Sequence, residues 1–237
     1  VRTQAAVTIH SLVNTGSLSP QAVLESLPKL LELLFALLRE VSNDEVVATL
    51  DTLIEKYGDH MAPYAHQVVS ALASIFLRLV NEADDEDEGD SSTLAAMCVM
   101  QALVTMMEAL HSHVELYEAM VPPLLPVLAR CTKEDAEDFF EDALELLSYL
   151  TYYPPTIPAP LWDLLPALHE AFHLWASDYM GNLLGPLDNY ISRGTETFLT
   201  AQNGAYVGMV LSVCRATLIN PQTSIEQQDA RDVRGAL

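Results

Sequence analysis

The stretch from Met61 to His111 constrains the fold of this chain more than any other. Met61 to Val80 carries Val68, Leu72, Ile75, Phe76 and Leu79 at steps of three and four, the apolar period of a helix. Thr93 to Leu110 carries Val99, Leu103, Met106 and Leu110 on one face, with Met100, Val104 and Met107 beside it. Faces that broad must be covered by more than one neighbour. Between the two runs lies Asn81 to Ser92, which holds Glu82, Asp84, Asp85, Glu86, Asp87, Glu88 and Asp90 and no cation. Such a segment cannot be core, and its self-repulsion opposes an ordered helix. The pattern predicts an antiparallel helical hairpin with a solvated acidic loop at its tip.

The rest of the chain repeats the hairpin without the loop. Val1 to Val13 reads as a short helix with Ala5, Ile9 and Val13 on one stripe. Ser19 is placed to cap, with Pro20 at a first helical position. From Leu27 an apolar helix with Pro28 in its first turn runs to Val41-Ser42. Asn43 then caps a partner helix, Asp44 to Tyr57, closed by Gly58-Asp59. Pro63 opens the third long helix as Pro28 does the first, His113 to Arg130 holds three prolines, and Lys133 to Tyr152 is its partner. After a proline-rich connector, Leu161 starts another pair, with Ser177 or Asp178 as cap of its second helix. The last apolar helix is Ala205 to Leu218.

A proline-bearing helix paired with an acid-capped one roughly every 40 residues is the pattern of HEAT repeats. No pair buries its faces alone, so pairs must stack. The expected fold is all-α, a HEAT-repeat α-solenoid of stacked antiparallel helix pairs in a curved superhelix. It would span residues 1–220 in about five pairs, with the acidic loop at 81–92. Residues 221–237 would be a polar tail or the start of a further repeat. The chain begins inside a helical pattern, which points to a piece of a longer protein.

Charge narrows the partners. Against 33 acidic residues stand 11 basic ones, a net charge of −22. Nucleic-acid phosphate and anionic membrane are repelled by such a surface, whereas basic proteins are attracted. No apolar run reaches the ~18 residues of a membrane span, because the Leu94 to Met107 run is short and interrupted by Gln101. Cys98, Cys131 and Cys214 are far apart in apolar contexts, which suits buried thiols in a reducing compartment.

One enzyme-like motif occurs, His169-Glu170-Ala171-Phe172-His173. On a helix it sets two imidazoles on one face as zinc ligands, with Glu170 as general base. No third ligand follows at a matching spacing, and no strand is available to hold a substrate beside it. Neither a metal nor a cofactor is expected, and the two histidines fit an ordinary amphipathic helix. Trp162, Phe172, Trp175 and Tyr149, Tyr152 and Tyr153 read as core or inter-repeat packing. The stronger candidate is a second acidic cluster: Glu134, Asp135, Glu137, Asp138, Glu141, Asp142 and Glu145. It covers one side of a helix whose Phe139, Phe140 and Leu144 point inward, and it offers a surface for a basic partner.

Several of these segments also resemble a known family. Ser42-Asn-Asp-Glu-Val, the acidic insertion Glu82 to Asp90, Asp138-Phe-Phe-Glu-Asp-Ala-Leu, Leu161-Trp-Asp-Leu-Leu-Pro-Ala-Leu, Asp178-Tyr-Met and Leu187-Asp-Asn-Tyr-Ile occur in order. Together they resemble the importin-β (karyopherin-β) nuclear transport receptors, nearest the importin-seven/eight branch and its later, C-terminal repeats. The resemblance implies a carrier that binds basic cargo of ribosomal-protein or histone type in the cytoplasm. It implies release in the nucleus on Ran-GTP binding, and contacts with Phe-Gly nucleoporins during shuttling through the pore. Residue by residue, only the insertion Glu82 to Asp90 carries over, as a candidate contact for cargo or Ran. The sequence leaves two other readings open: an exportin or other HEAT scaffold such as a kinase- or phosphatase-assembly subunit, and, more remotely, a zinc peptidase.

Overall fold

The structure is a computed structural model that describes residues 8, 10–13, 15, 19–40, 44–82 and 89–219. All regular structure among them is helical: α1 (Pro20–Glu40), α2 (Asp44–Met61), α3 (Ala65–Glu82), α4 (Gly89–Ala109), α5 (Tyr117–Cys131), α6 (Phe140–Tyr152), α7 (Leu164–Leu174), α8 (Met180–Ser192), α9 (Thr195–Thr200) and α10 (Ala205–Ile219). The fold is all-α and of the HEAT type. It forms two compact units, Val1–Val127 and Leu128–Leu237.

In the first unit α4 packs against both α2 and α3. Ala96, Val99, Met100, Ala102, Leu103, Met106 and Met107 are all fully buried, which explains its apolar surface on nearly every side. Ser92–Ala109 is in fact long and apolar enough to cross a membrane, unlike the shorter run recognised in the sequence. More than half of it is buried in protein, however, as befits a core helix. Thr105 of α4 lies close enough to the Asp51 carboxyl of α2 to act on it, and a Cβ on Gly58 would lie 2.6 Å from that of Ala109. Later residues of α2 therefore meet later residues of α4, so these two helices run parallel. They are equivalent members of successive pairs.

The repeat period appears directly in the contacts. Arg78 of α3 donates to the Leu38 carbonyl of α1 at 2.9 Å, a separation of 40 residues. In the second unit Asn182 of α8 donates to Glu141 of α6 at 2.8 Å, 41 residues back, and Asn189 donates to the Ser148 carbonyl at 3.1 Å, again 41 residues back. His173 of α7 meets Ser212 of α10 at 2.8 Å across 39 residues. Between α2 and α4 the offset is longer because the acidic insertion intervenes. Each helix thus leans on its counterpart one repeat away, the arrangement that stacked pairs require.

Local readings differ from the sequence in several places. The Ala22 amide donates to the Ser19 hydroxyl at 3.2 Å and caps α1 as expected. The helix does not restart at Leu27, though. It passes through Pro28, since Val23, Leu27, Leu31, Leu34, Phe35 and Leu38 form one continuous buried stripe that offsets the lost hydrogen bond. Gly58 does not end α2. The helix breaks at Tyr57 (φ −128°, ψ 21°) and continues to Met61, and Gly58 instead makes room for Ala109. The Lys133 to Tyr152 segment is not one helix but a 3₁₀ turn, Glu134–Phe139, followed by α6. Neither Ser177 nor Asp178 caps α8, which begins at Met180 after another 3₁₀ turn with no side-chain cap. Cys131 is buried, and burial pushes its thiol up to about 12, whereas Cys98 and Cys214 are partly exposed. The helix expected over Val1 to Val13 and the tail after Asn220 lie largely outside the described residues.

Candidate functional site

The second acidic cluster lies at the entrance to α6, and its apolar residues hold it in place. Ala136, Phe139 and Phe140 are buried, as are Ala143 and Leu144. With these turned inward, Glu134, Asp135, Glu137, Asp138, Glu141 and Glu145 are left exposed, and Asp142 half-buried. The backbone departs from helical geometry at Ala136 (φ −120°, ψ 24°), so the acids fan out over a turn and a helix start instead of a single helical face. Phe140 anchors the turn. Its ring meets Trp175 edge-on at a centroid distance of 4.8 Å and Tyr179 at 5.3 Å.

Four of the carboxylates have specific partners. Arg130 donates to Asp135 through both terminal nitrogens, at 2.8 and 2.9 Å. Tyr179 donates to Glu137 at 3.3 Å, Asn182 to Glu141 at 2.8 Å and Tyr149 to Glu145 at 2.7 Å. Glu137 and Glu141 are therefore tied to the next repeat by neutral donors, which fix their positions without cancelling their charge. Burial first, with the Glu145 and Glu141 charges adding to it, holds the Asp142 carboxyl above its ordinary range. Crowded like charges of this kind gain from an arriving cation. What the patch can do chemically is accept N–H donors from lysine and arginine side chains.

The other acidic candidate is described only at its ends. Glu82 is the last residue of α3 and Asp90 the second of α4, while Asp84, Asp85, Glu86, Asp87 and Glu88 lie outside the described residues. The two acidic candidates belong to different units.

The histidine motif falls on α7. The His169 and His173 rings meet edge to face at 4.6 Å, and His173 Nε2 lies 2.8 Å from the Ser212 hydroxyl. No group of three metal-binding side chains gathers among the described residues. Trp162 and Phe172 are buried as expected, but Tyr152 is exposed, with the Arg193 guanidinium 5.1 Å above its ring.

Sequence reasoning missed the groups that set this geometry. Tyr179 and Asn189 fall within the segments Asp178-Tyr-Met and Leu187-Asp-Asn-Tyr-Ile, but nothing local marks them, or Asn182, as anchors of this turn. Asn189 is buried and donates to the Ser148 carbonyl and to the Thr151 hydroxyl, the latter at 3.0 Å. A polar residue about 40 positions after another on equivalent helices was the available signal. Asp51 was missed as well: burial, partly offset by the Thr105 hydrogen bond, raises its carboxyl, and its Oδ1 is buried without a partner among the described residues.

Comparisons with known proteins agree on one family. An importin beta-like SAD2 homolog of Arabidopsis thaliana is 38% identical over 195 residues, covering 82% of this chain and 19% of the relative. A probable importin-7 homolog of Dictyostelium discoideum is 31% identical over 213 residues, 90% of this chain and 20% of the relative. Human importin-8 is 24% identical over 218 residues, 92% of this chain and 20% of the relative. The chain thus spans about a fifth of the length of the curated relatives it matches. No family model matches it. No solved structure matches it either.

Proposed function

The chain belongs to the importin-β family, and from that premise we propose that it is the cargo-binding part of a nuclear import receptor. It binds lysine- and arginine-rich proteins of ribosomal or histone type through exposed carboxylates, without catalysis. In the full-length protein Ran-GTP releases the cargo, Phe-Gly nucleoporins guide passage through the pore, and the receptor cycles between cytoplasm and nucleus. The observation that carries this reading is the fanned carboxylate patch from Glu134 to Asp142, held rigid by Phe140 and by donors from the next repeat. Its chemistry calls for many weak, salt-sensitive contacts in place of one deep pocket. The insertion Glu82 to Asp90 supplies a second carboxylate surface for the same cargo or for Ran.

The test is a variant with Glu134→Gln, Asp138→Asn and Asp142→Asn. Neither Glu134 nor Asp138 has a hydrogen-bond partner among the described residues, and Asp142 is disfavoured as an anion, so folding should be unaffected. Affinity for a lysine-rich histone-tail peptide at low salt should fall about tenfold, roughly half a kcal/mol for each lost charge contact. Unchanged affinity in a normally folded variant would remove the patch from the binding surface.

A further inference from the structure

We propose that the segment Ile225 to Leu237 docks on the bare apolar face of α10 as its antiparallel hairpin partner. Of the 15 residues of α10 only Arg215 is charged, yet the buried ones form a single stripe: Tyr206, Val210, Val213 and Thr217. One position round the helix runs a second apolar stripe, Val207, Leu211, Cys214 and Leu218. This one is open to solvent, with Leu211 63% and Leu218 46% exposed and Val207 and Cys214 partly so. A helix apolar on both sides is built to be covered on both. α4 shows the covered form, packed against α2 and α3 together. In the repeat α10 stands as α7 does, a first helix leaning on its counterpart through the contact of His173 with Ser212, 39 residues apart. No second helix follows it among the described residues.

The sequence beyond α10 has the features of that second helix. Ser224-Ile-Glu-Gln is a capping-box pattern, which starts a helix at Ile225. From there Ala230, Val233 and Leu237 recur at steps of three and four, with Gln228, Arg231 and Asp232 on the other side. The connection from Asn220 to Ser224 is short and contains Pro221, so the two helices must be adjacent and antiparallel. Residues equally far from the turn then face each other. With Gln222 as the midpoint, Val207 falls opposite Leu237, Leu211 opposite Val233, and Cys214 opposite Ala230. All three apolar positions of the segment's stripe thus meet the exposed stripe of α10, and Cys214 with Ala230 is a pair small enough for close approach. A second copy of the chain could match this face in chemistry, but the register is the one that a hairpin within one chain sets.

Cysteine pairing tests this register in the 237-residue chain. Ala230→Cys and Arg231→Cys are compared under mild oxidation by copper-phenanthroline, and the disulfides are located by peptide mass. Cys131 is buried and Cys98 belongs to the first unit, so Cys214 is the native thiol placed to respond. A disulfide needs Cα atoms about 4.4–6.8 Å apart, so Cys214 should bond the thiol of Ala230→Cys about tenfold faster than that of Arg231→Cys. Val233→Asp, made alone, should expose Cys214 and speed its alkylation by iodoacetamide about fivefold, a readout independent of crosslinking. Equal crosslinking from both positions, none from Ala230→Cys, or a disulfide joining two copies through Cys214 would overturn the proposal, as would alkylation unmoved by Val233→Asp.

Discussion

Phe140→Ala should cost the second unit about 3–5 kcal/mol, the usual range for emptying a buried aromatic site. Phe140 is 2% exposed and touches the Trp175 and Tyr179 rings. Leu128, Leu144, Leu164 and Leu168 line the same small internal space, so truncation enlarges a void that its neighbours cannot easily fill. The effect should reach beyond stability. Glu141 and Asp142 follow Phe140 directly, and Tyr179 both packs on its ring and positions Glu137. Binding of a basic peptide should therefore weaken although no carboxylate has been removed. Urea unfolding followed by tryptophan fluorescence gives the first number, and peptide titration gives the second. A midpoint shift worth less than about 1 kcal/mol would mean the ring does not anchor the turn.

The second large effect is expected at Gly194. A Cβ there would lie 2.5 Å from Cζ2 and 2.7 Å from Cη2 of Trp162, and 3.0 Å from the Tyr190 carbonyl oxygen. Trp162 cannot move aside, because it is held between Tyr190 at 5.0 Å and Tyr206, stacked at 5.3 Å. Tyr190 is fixed in turn by its hydroxyl, which donates to the Leu161 carbonyl at 2.6 Å. Gly194→Ala should cost about 1–3 kcal/mol through overpacking. The backbone at Gly194 has φ −111°, which alanine adopts freely, so the cost is steric. Trp162→Ala alone should cost about 3–5 kcal/mol, and Gly194→Ala added to it should cost almost nothing more. Additive losses in thermal or urea unfolding would show that the two residues do not meet.

Much of this architecture was legible in the sequence, for identifiable reasons. Long apolar periodicity marked the helices, Ser19-Pro20 marked a helix start, and the spacing of proline-bearing helices marked the repeat. Boundaries were harder to read wherever tertiary packing overrode a local signal. Pro28 looked like an N-terminal residue, but the buried stripe from Val23 to Leu38 carries the helix through it. Gly58 looked like a terminator, but its role is steric and depends on Ala109, more than fifty residues away in sequence. The acids from Glu134 to Asp142 were legible as a charged surface. Their anchoring was not, because Tyr179, Asn182 and Asn189 act from the following repeat, and nothing in the segments around them marks that role.

The most direct test of the central claim, that this chain binds basic proteins through its carboxylate surfaces, is a salt series. A histone-tail or basic ribosomal-protein ligand is titrated against the 237-residue chain from about 50 to 200 mM salt, a range over which screening of exposed charges deepens markedly. The account predicts measurable binding at low salt that weakens steeply as salt rises, and weakens further when Asp84 to Glu88 or the Glu134, Asp138 and Asp142 set is neutralised. Absence of binding at low salt, or binding indifferent to both salt and neutralisation, would contradict it.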